Sequence, residues 1–176
     1  MIRAYRTLLL VSITLSIIGC AEKPEGYYED EDGFSLIIPA GWNHEAEAGP
    51  ASVVLWRGER DTSSPTITIV TTPTLPPEAT DENFADLSFR DAATLPGYTP
   101  MRSETLSIDG DTLTALVYAH GDTAAGWRQS MLVAAVSDDD NDERKGYTII
   151  CSSPPGKFEG DKEEYRKVLA SFAIEE

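Results

Sequence analysis

The sequence is 176 residues long, 41% apolar and 25% charged, which suffices for one globular domain with its own core and is too short for a multidomain enzyme. Its 30 Asp and Glu against 14 Lys and Arg give a formal charge of −16, a field that repels polyanions, so no nucleic-acid partner is expected. Two cysteines cannot build a disulfide scaffold.

Residues 1–19 differ from the rest. Arg3 and Arg6 are their only charges, an apolar stretch runs from Leu8 to Ile18, and Gly19 and Cys20 follow. That order reads as a secretory leader, and the stretch is about half the roughly 20 residues that a membrane-spanning helix needs. Ile17-Ile18-Gly19-Cys20 resembles the bacterial lipobox. The resemblance implies cleavage between Gly19 and Cys20, a diacylglycerol on the Cys20 thiol, and an acylated, palmitate-type amino terminus that anchors the protein to a membrane. A plain cleaved signal, with Cys20 a bystander, is the alternative. Ala21 rather than Asp follows the cysteine, which by analogy with enteric bacteria favours the outer membrane over the inner one.

Loss of the leader removes Arg3 and Arg6, so the mature chain is two units more negative. Residues 20–32 hold Glu22, Glu25, Glu29, Asp30, Glu31 and Asp32 with Pro24 and Gly26, a composition expected to form an acidic tether. Tyr27 and Tyr28 stand out on it, as either an edge strand or a contact for a partner.

Residues 33–176 are expected to form a single globular domain. Apolar and β-branched runs predict about seven strands: Phe34–Ile38, Val53–Trp56, Thr66–Thr71, Thr105–Ile108, Thr112–Ala119, Trp127–Val136 and Tyr147–Cys151. Pro73, Pro76 and Pro77 predict a stiff loop over Thr72–Ala79. Thr80 caps a helix that begins with Asp81 and Glu82, carries a broad apolar face through Phe84, Leu87, Ala92 and Leu95, and stops at Pro96-Gly97. Asp109-Gly110 predicts a two-residue hairpin. Tyr165, Val168, Leu169 and Phe172, at i, i+3, i+4 and i+7, predict a second helix with one buried stripe. Consecutive apolar residues such as Val53-Val54-Leu55-Trp56 and Met131-Leu132-Val133 imply a sheet covered on both faces. The expected class is therefore α+β, an α/β/α sandwich with a mainly antiparallel sheet and a helix on each face; a β-sandwich with a terminal helix is the alternative.

The opening Gly33-Phe34-Ser35-Leu36-Ile37-Ile38-Pro39-Ala40-Gly41-Trp42 and the closing Tyr165, Val168, Leu169, Ser171 and Phe172 resemble the PsbP-like superfamily, which includes bacterial lipoproteins of the DcrB type. The resemblance spans roughly residues 28–174. It implies an α/β/α sandwich that binds or scaffolds other proteins, and it brings no catalytic motif.

Candidate chemistry is sparse. Asp138, Asp140 and Asp142 alternate like the first ligands of a calcium loop, but Glu143 stands where that loop needs Gly, and Ile149 where it needs an acidic ligand. A solvated hairpin loop explains the same residues, so they are at most weak metal candidates. Cys151 lies in an apolar run and reads as a buried, inert thiol, and His44 and His120 read as ordinary polar residues near strand ends or loops. No GxGxxG, P-loop, CxxC or HExxH motif is present, so no cofactor is expected. Two functions remain: a membrane-anchored, non-catalytic module for an envelope protein partner, or a hydrolase or transferase assembled from scattered Asp, Glu, Ser and His. An imidazole beside Ser or Cys in a pocket favours the second; an apolar patch rimmed by acids favours the first.

Overall fold

A computed structural model describes residues 23–122, 126–137 and 144–175. The described chain runs β1 (Tyr27–Asp30), β2 (Phe34–Ile37), β3 (Trp42–Ala48), β4 (Ala51–Arg57), β5 (Thr66–Leu75), α1 (Asp81–Ala92), β6 (Thr99–Ile108), β7 (Asp111–Asp122), β8 (Gly126–Val136), β9 (Arg144–Ser153), α2 (Phe158–Ser171) and β10 (Ala173–Ile174). Seven strands form one antiparallel sheet in the order β3-β4-β5-β9-β8-β7-β6, and a second, three-stranded sheet has the order β1-β2-β10. β9 returns to pair with β5 after the chain has made α1 and the β6-β7-β8 meander.

Alternation along β8 shows how both faces are filled. Met131, Val133 and Ala135 join the main core with Phe158, Tyr165, Val168 and Leu169 of α2, whereas Leu132, Ala134 and Val136 join the residues beneath α1. One helix therefore lies on each face, as the consecutive apolar residues require. The small sheet shares the α2 face: Phe34 and Leu36 of β2 pack with Val53, Leu55, Ile67 and Ile69 of β4 and β5.

Local chemistry fixes the element ends. Thr80 caps α1: its hydroxyl accepts from the Asn83 amide, and the Asn83 side chain accepts from the Thr80 amide. Asp109 (φ 51°) and Gly110 (φ 86°) make the tight β6–β7 turn, with Ile108 opposite Asp111. Arg57 of β4 holds α2 through Asp161 and Glu164, each at 2.5 Å.

The structure departs from the sequence reading in several places. Residues 27–30, expected within the tether, form β1, so the Tyr27-Tyr28 pair is an edge strand; Tyr28 packs on Phe34 and His44. The run from Phe34 belongs to the small sheet rather than the large one, where polar β3 takes the edge. β5 continues through Pro73 to Leu75, with a register shift between Thr72 and Leu75 where proline has no N–H to give. α1 ends at Ala92, leaving Leu95 beyond it. Gly19, Cys20 and the Asp138, Asp140 and Asp142 cluster lie outside the described residues.

Candidate functional site

α1 seats on β7, β8 and β9 through Phe84, Ala85, Ser88 and Ala92. Ser88 reaches Thr148 across this contact at 3.1 Å. Phe84 drops onto Gly146 of β9, where any side chain would collide with its ring. Between α1 and the sheet, a cavity of about 510 Å³ opens toward β5. Its walls are Val70 and Leu75 of β5, Leu132 and Ile150 of the sheet floor, and Leu87, Asp91 and Leu95 on the helix side. Leu87 is 54% exposed and Leu95 37%, although both are apolar and both face this space. Trp127, 48% exposed, lays its ring against Gly97, just beyond Leu95.

A polar cluster borders the cavity past Leu132 and Ile150. Strand register places His120 opposite Arg128, and Tyr118, Ser130 and Ser152 side by side. His120 Nε2 is 3.0 Å from Ser130 Oγ, and Ser130 donates to Ser152 Oγ at 2.9 Å. Arg128 donates to Ser152 Oγ and to the carbonyls of Thr62, Ser64 and Ser152 at 2.7–3.0 Å, tying the β4–β5 connection to β8 and β9. Burial, reinforced by the Arg128 charge, lowers the His120 pKa and keeps the ring neutral, while burial pushes the Tyr118 phenol up to about 12.

This is the His-beside-Ser geometry that a hydrolase requires, but Ser130 is 0% exposed and spends its proton on Ser152 rather than on the imidazole. Burial likewise raises the Cys151 thiol pKa far above its usual value and leaves it unreactive. His44, mid-strand on β3, packs edge-on against Tyr28 with ring centres 5.2 Å apart. Among the described residues no group of His, Cys, Asp or Glu is arranged to hold a metal ion, and no helix is long and apolar enough to cross a membrane. The apolar cavity beside α1 is thus taken as the candidate site. Sequence reading missed it, although the breadth of the α1 apolar face was its signal, being wider than one seat on a sheet uses.

No protein-family model matches the chain, and no curated protein sequence matches it. Solved structures do. LpqN of Mycobacterium tuberculosis, described as involved in cell envelope biogenesis, is similar with a TM-score of 0.67 at 12% identity, over 81% of this chain and 83% of that one. The cyanobacterial PsbP of Synechocystis sp. PCC 6803 is similar with a TM-score of 0.56 at 19% identity, over 91% and 98% of the two chains. A Bacteroides thetaiotaomicron protein gives 0.56 at 12% identity, over 86% of this chain and 49% of its own. The seven-stranded antiparallel sheet with a helix on each face is therefore a PsbP-like fold.

Proposed function

We propose that the chain is an envelope lipoprotein, cleaved behind Gly19 and anchored by acyl chains on Cys20, whose domain binds an envelope protein and carries out no reaction of its own. Ala21 favours the outer membrane as its location. The observation that carries the binding role is the apolar cavity beside α1, with Leu87 and Leu95 left exposed at its rim. The chain enters the domain through β1, in the small sheet on the opposite face, so an anchored domain leaves this side free. The likeness to an envelope-biogenesis protein supports the setting.

The test has two arms. Cells fed a labelled fatty acid should label the protein and lose the label in Cys20→Ser; a label-free wild type overturns the anchor. A photoreactive residue at Leu87 in the membrane-held protein should crosslink to an envelope protein, and its absence, with crosslinks nowhere else on the domain, overturns the binding role.

The hydrolase reading has one observation in its favour, the His120–Ser130 contact. A fluorophosphonate probe that labels Ser130 in the folded protein would establish it in place of the binding module.

A further inference from the structure

We infer that the outer face of the small sheet is the side on which the domain meets its membrane, with the Tyr27 ring, the Ile37 side chain and the Lys23 ammonium against a zwitterionic headgroup layer. The inference rests on the Cys20 anchor proposed above and fixes how an anchored domain sits.

Most of the acidic stretch expected to act as a tether is built into the domain. Residues 27–30 form β1, and the chain just before them is docked as well. The Pro24 carbonyl accepts from the Tyr27 amide at 3.1 Å, and the Gly26 carbonyl accepts from the Ile38 amide at 2.8 Å. Gly26 has φ 78°, and a side chain on it would run into the Ile38 carbonyl, so this close approach requires glycine. Lys23 pairs with Glu29, and its ammonium sits 4.4 Å from the centre of the Tyr27 ring. Only Ala21 and Glu22 then separate Lys23 from Cys20. Three extended links reach at most about 11 Å. A domain of this length is roughly 40 Å across. So short a leash does not let the domain turn over, and the face that carries Lys23 stays at the membrane.

That face points away from the large sheet. Tyr28 turns inward onto Phe34 and His44, so its neighbour Tyr27 turns outward. There Tyr27 lies opposite Ile37, both half-buried, and donates to Glu175 at 3.4 Å. Tyr and an aliphatic residue beside a Lys suit the boundary between acyl chains and water, where the ring and the long stem bury and the polar tips stay wet. Pairing with Lys23 neutralises Glu29, and the acids left around it, Glu25 and Glu175, favour neutral headgroups over anionic ones. α1 and its cavity lie across the large sheet, two layers or about 20 Å further from the bilayer. A partner at Leu87 therefore engages the domain with a part that stands outside the membrane.

The test uses the acylated protein, purified from membranes and returned to vesicles of phosphatidylethanolamine and phosphatidylcholine that carry a nitroxide quencher on their headgroups. Cys151 is buried and the anchor consumes the Cys20 thiol, so a fluorophore on Glu25→Cys or on Leu87→Cys reports a single place. The dye at position 25 should lose most of its emission and the dye at position 87 almost none. Insertion of about 12 Gly and Ser residues after Glu22, averaging about 19 Å end to end, should erase most of that difference. Equal quenching at the two positions, no quenching at position 25, or a difference that survives the insertion overturns the inference and leaves the anchor standing. So does self-quenching at position 25 that disappears on dilution into excess lipid, since it assigns the face to a second copy. A wild-type protein without fatty-acid label overturns the anchor and the inference together.

Discussion

The ring of Phe84 fills the space that a side chain at position 146 would occupy: a Cβ on Gly146 would overlap Phe84 Cζ. The single missing methyl lets α1 lie close enough for Ala85 and Ala92 to bury and for Ser88 to reach Thr148. Gly146→Ala should force the helix and strand apart. Overpacking of this kind costs about 1–3 kcal/mol. Urea denaturation should show the midpoint fall with an unchanged slope, and a native midpoint would mean that α1 is less tightly seated than the contact indicates.

Where residues were buried on a regular period, the sequence reading located the elements: β4, β5, β7, β8, β9 and the stripes of both helices coincide with apolar runs. It missed β3 because five of its seven residues are exposed, four of them polar, and only Trp42 inserts into the core. The two-residue β10 has no pattern of its own, being held by pairing with β2 and by Asp109 accepting from the Ile174 amide at 3.0 Å. The polar cluster was illegible for a different reason. His120, Ser130 and Ser152 meet only through the registers of β7, β8 and β9, which depend on long-range pairing rather than on any local spacing. Leu87 and Leu95 were visible as apolar, but that Leu87 on the helix and Leu95 beyond its end at Ala92 both stand over a cavity follows from packing alone.

Glu104 anchors β6 to α2, accepting from Lys162, from Arg102 at 2.7 Å and from Arg166 at 3.1 Å. Burial alone would raise its pKa, but the hydrogen bonds from Lys162 and Arg102 prevail and hold it at about 2, against an ordinary 4.5. A carboxyl depressed in the folded state stabilises fully above its unfolded value and loses that contribution as pH falls from 4.5 toward 2. Melting temperature should therefore drop across that window. Glu104→Gln should lower stability at pH 7 by something on the order of 1–3 kcal/mol and shrink the acid-side slope. A slope identical to wild type would show that other carboxylates set it.

Cys151 lies at 0% exposure in β9, and burial raises its pKa well above that of a free thiol. Maleimide labelling in the Cys20→Ser protein should be negligible under native conditions and should rise along the urea unfolding curve, since the thiolate forms only once the sheet opens. Rapid native labelling would indicate local opening of the β5–β9–β8 core, contrary to its central place in the sheet.

His120 gives a pH dependence of opposite origin. Burial first, and then the facing Arg128 guanidinium, lowers its pKa below 6.5, so the folded state binds the proton less readily than the unfolded chain. In the window from 6.5 down to that lowered value the unfolded state holds more protons, and stability falls as pH falls; below the window the loss is complete and constant. His120→Gln keeps a polar group beside Ser130 and should flatten stability between pH 7 and pH 5, while Arg128→Gln removes the facing charge and should move the His120 imidazole titration, followed by NMR, upward. An unshifted titration in Arg128→Gln would leave burial as the whole cause. A titration at or above 6.5 in the wild type would mean that the ring is open to solvent and that the Ser130 contact is not maintained in solution.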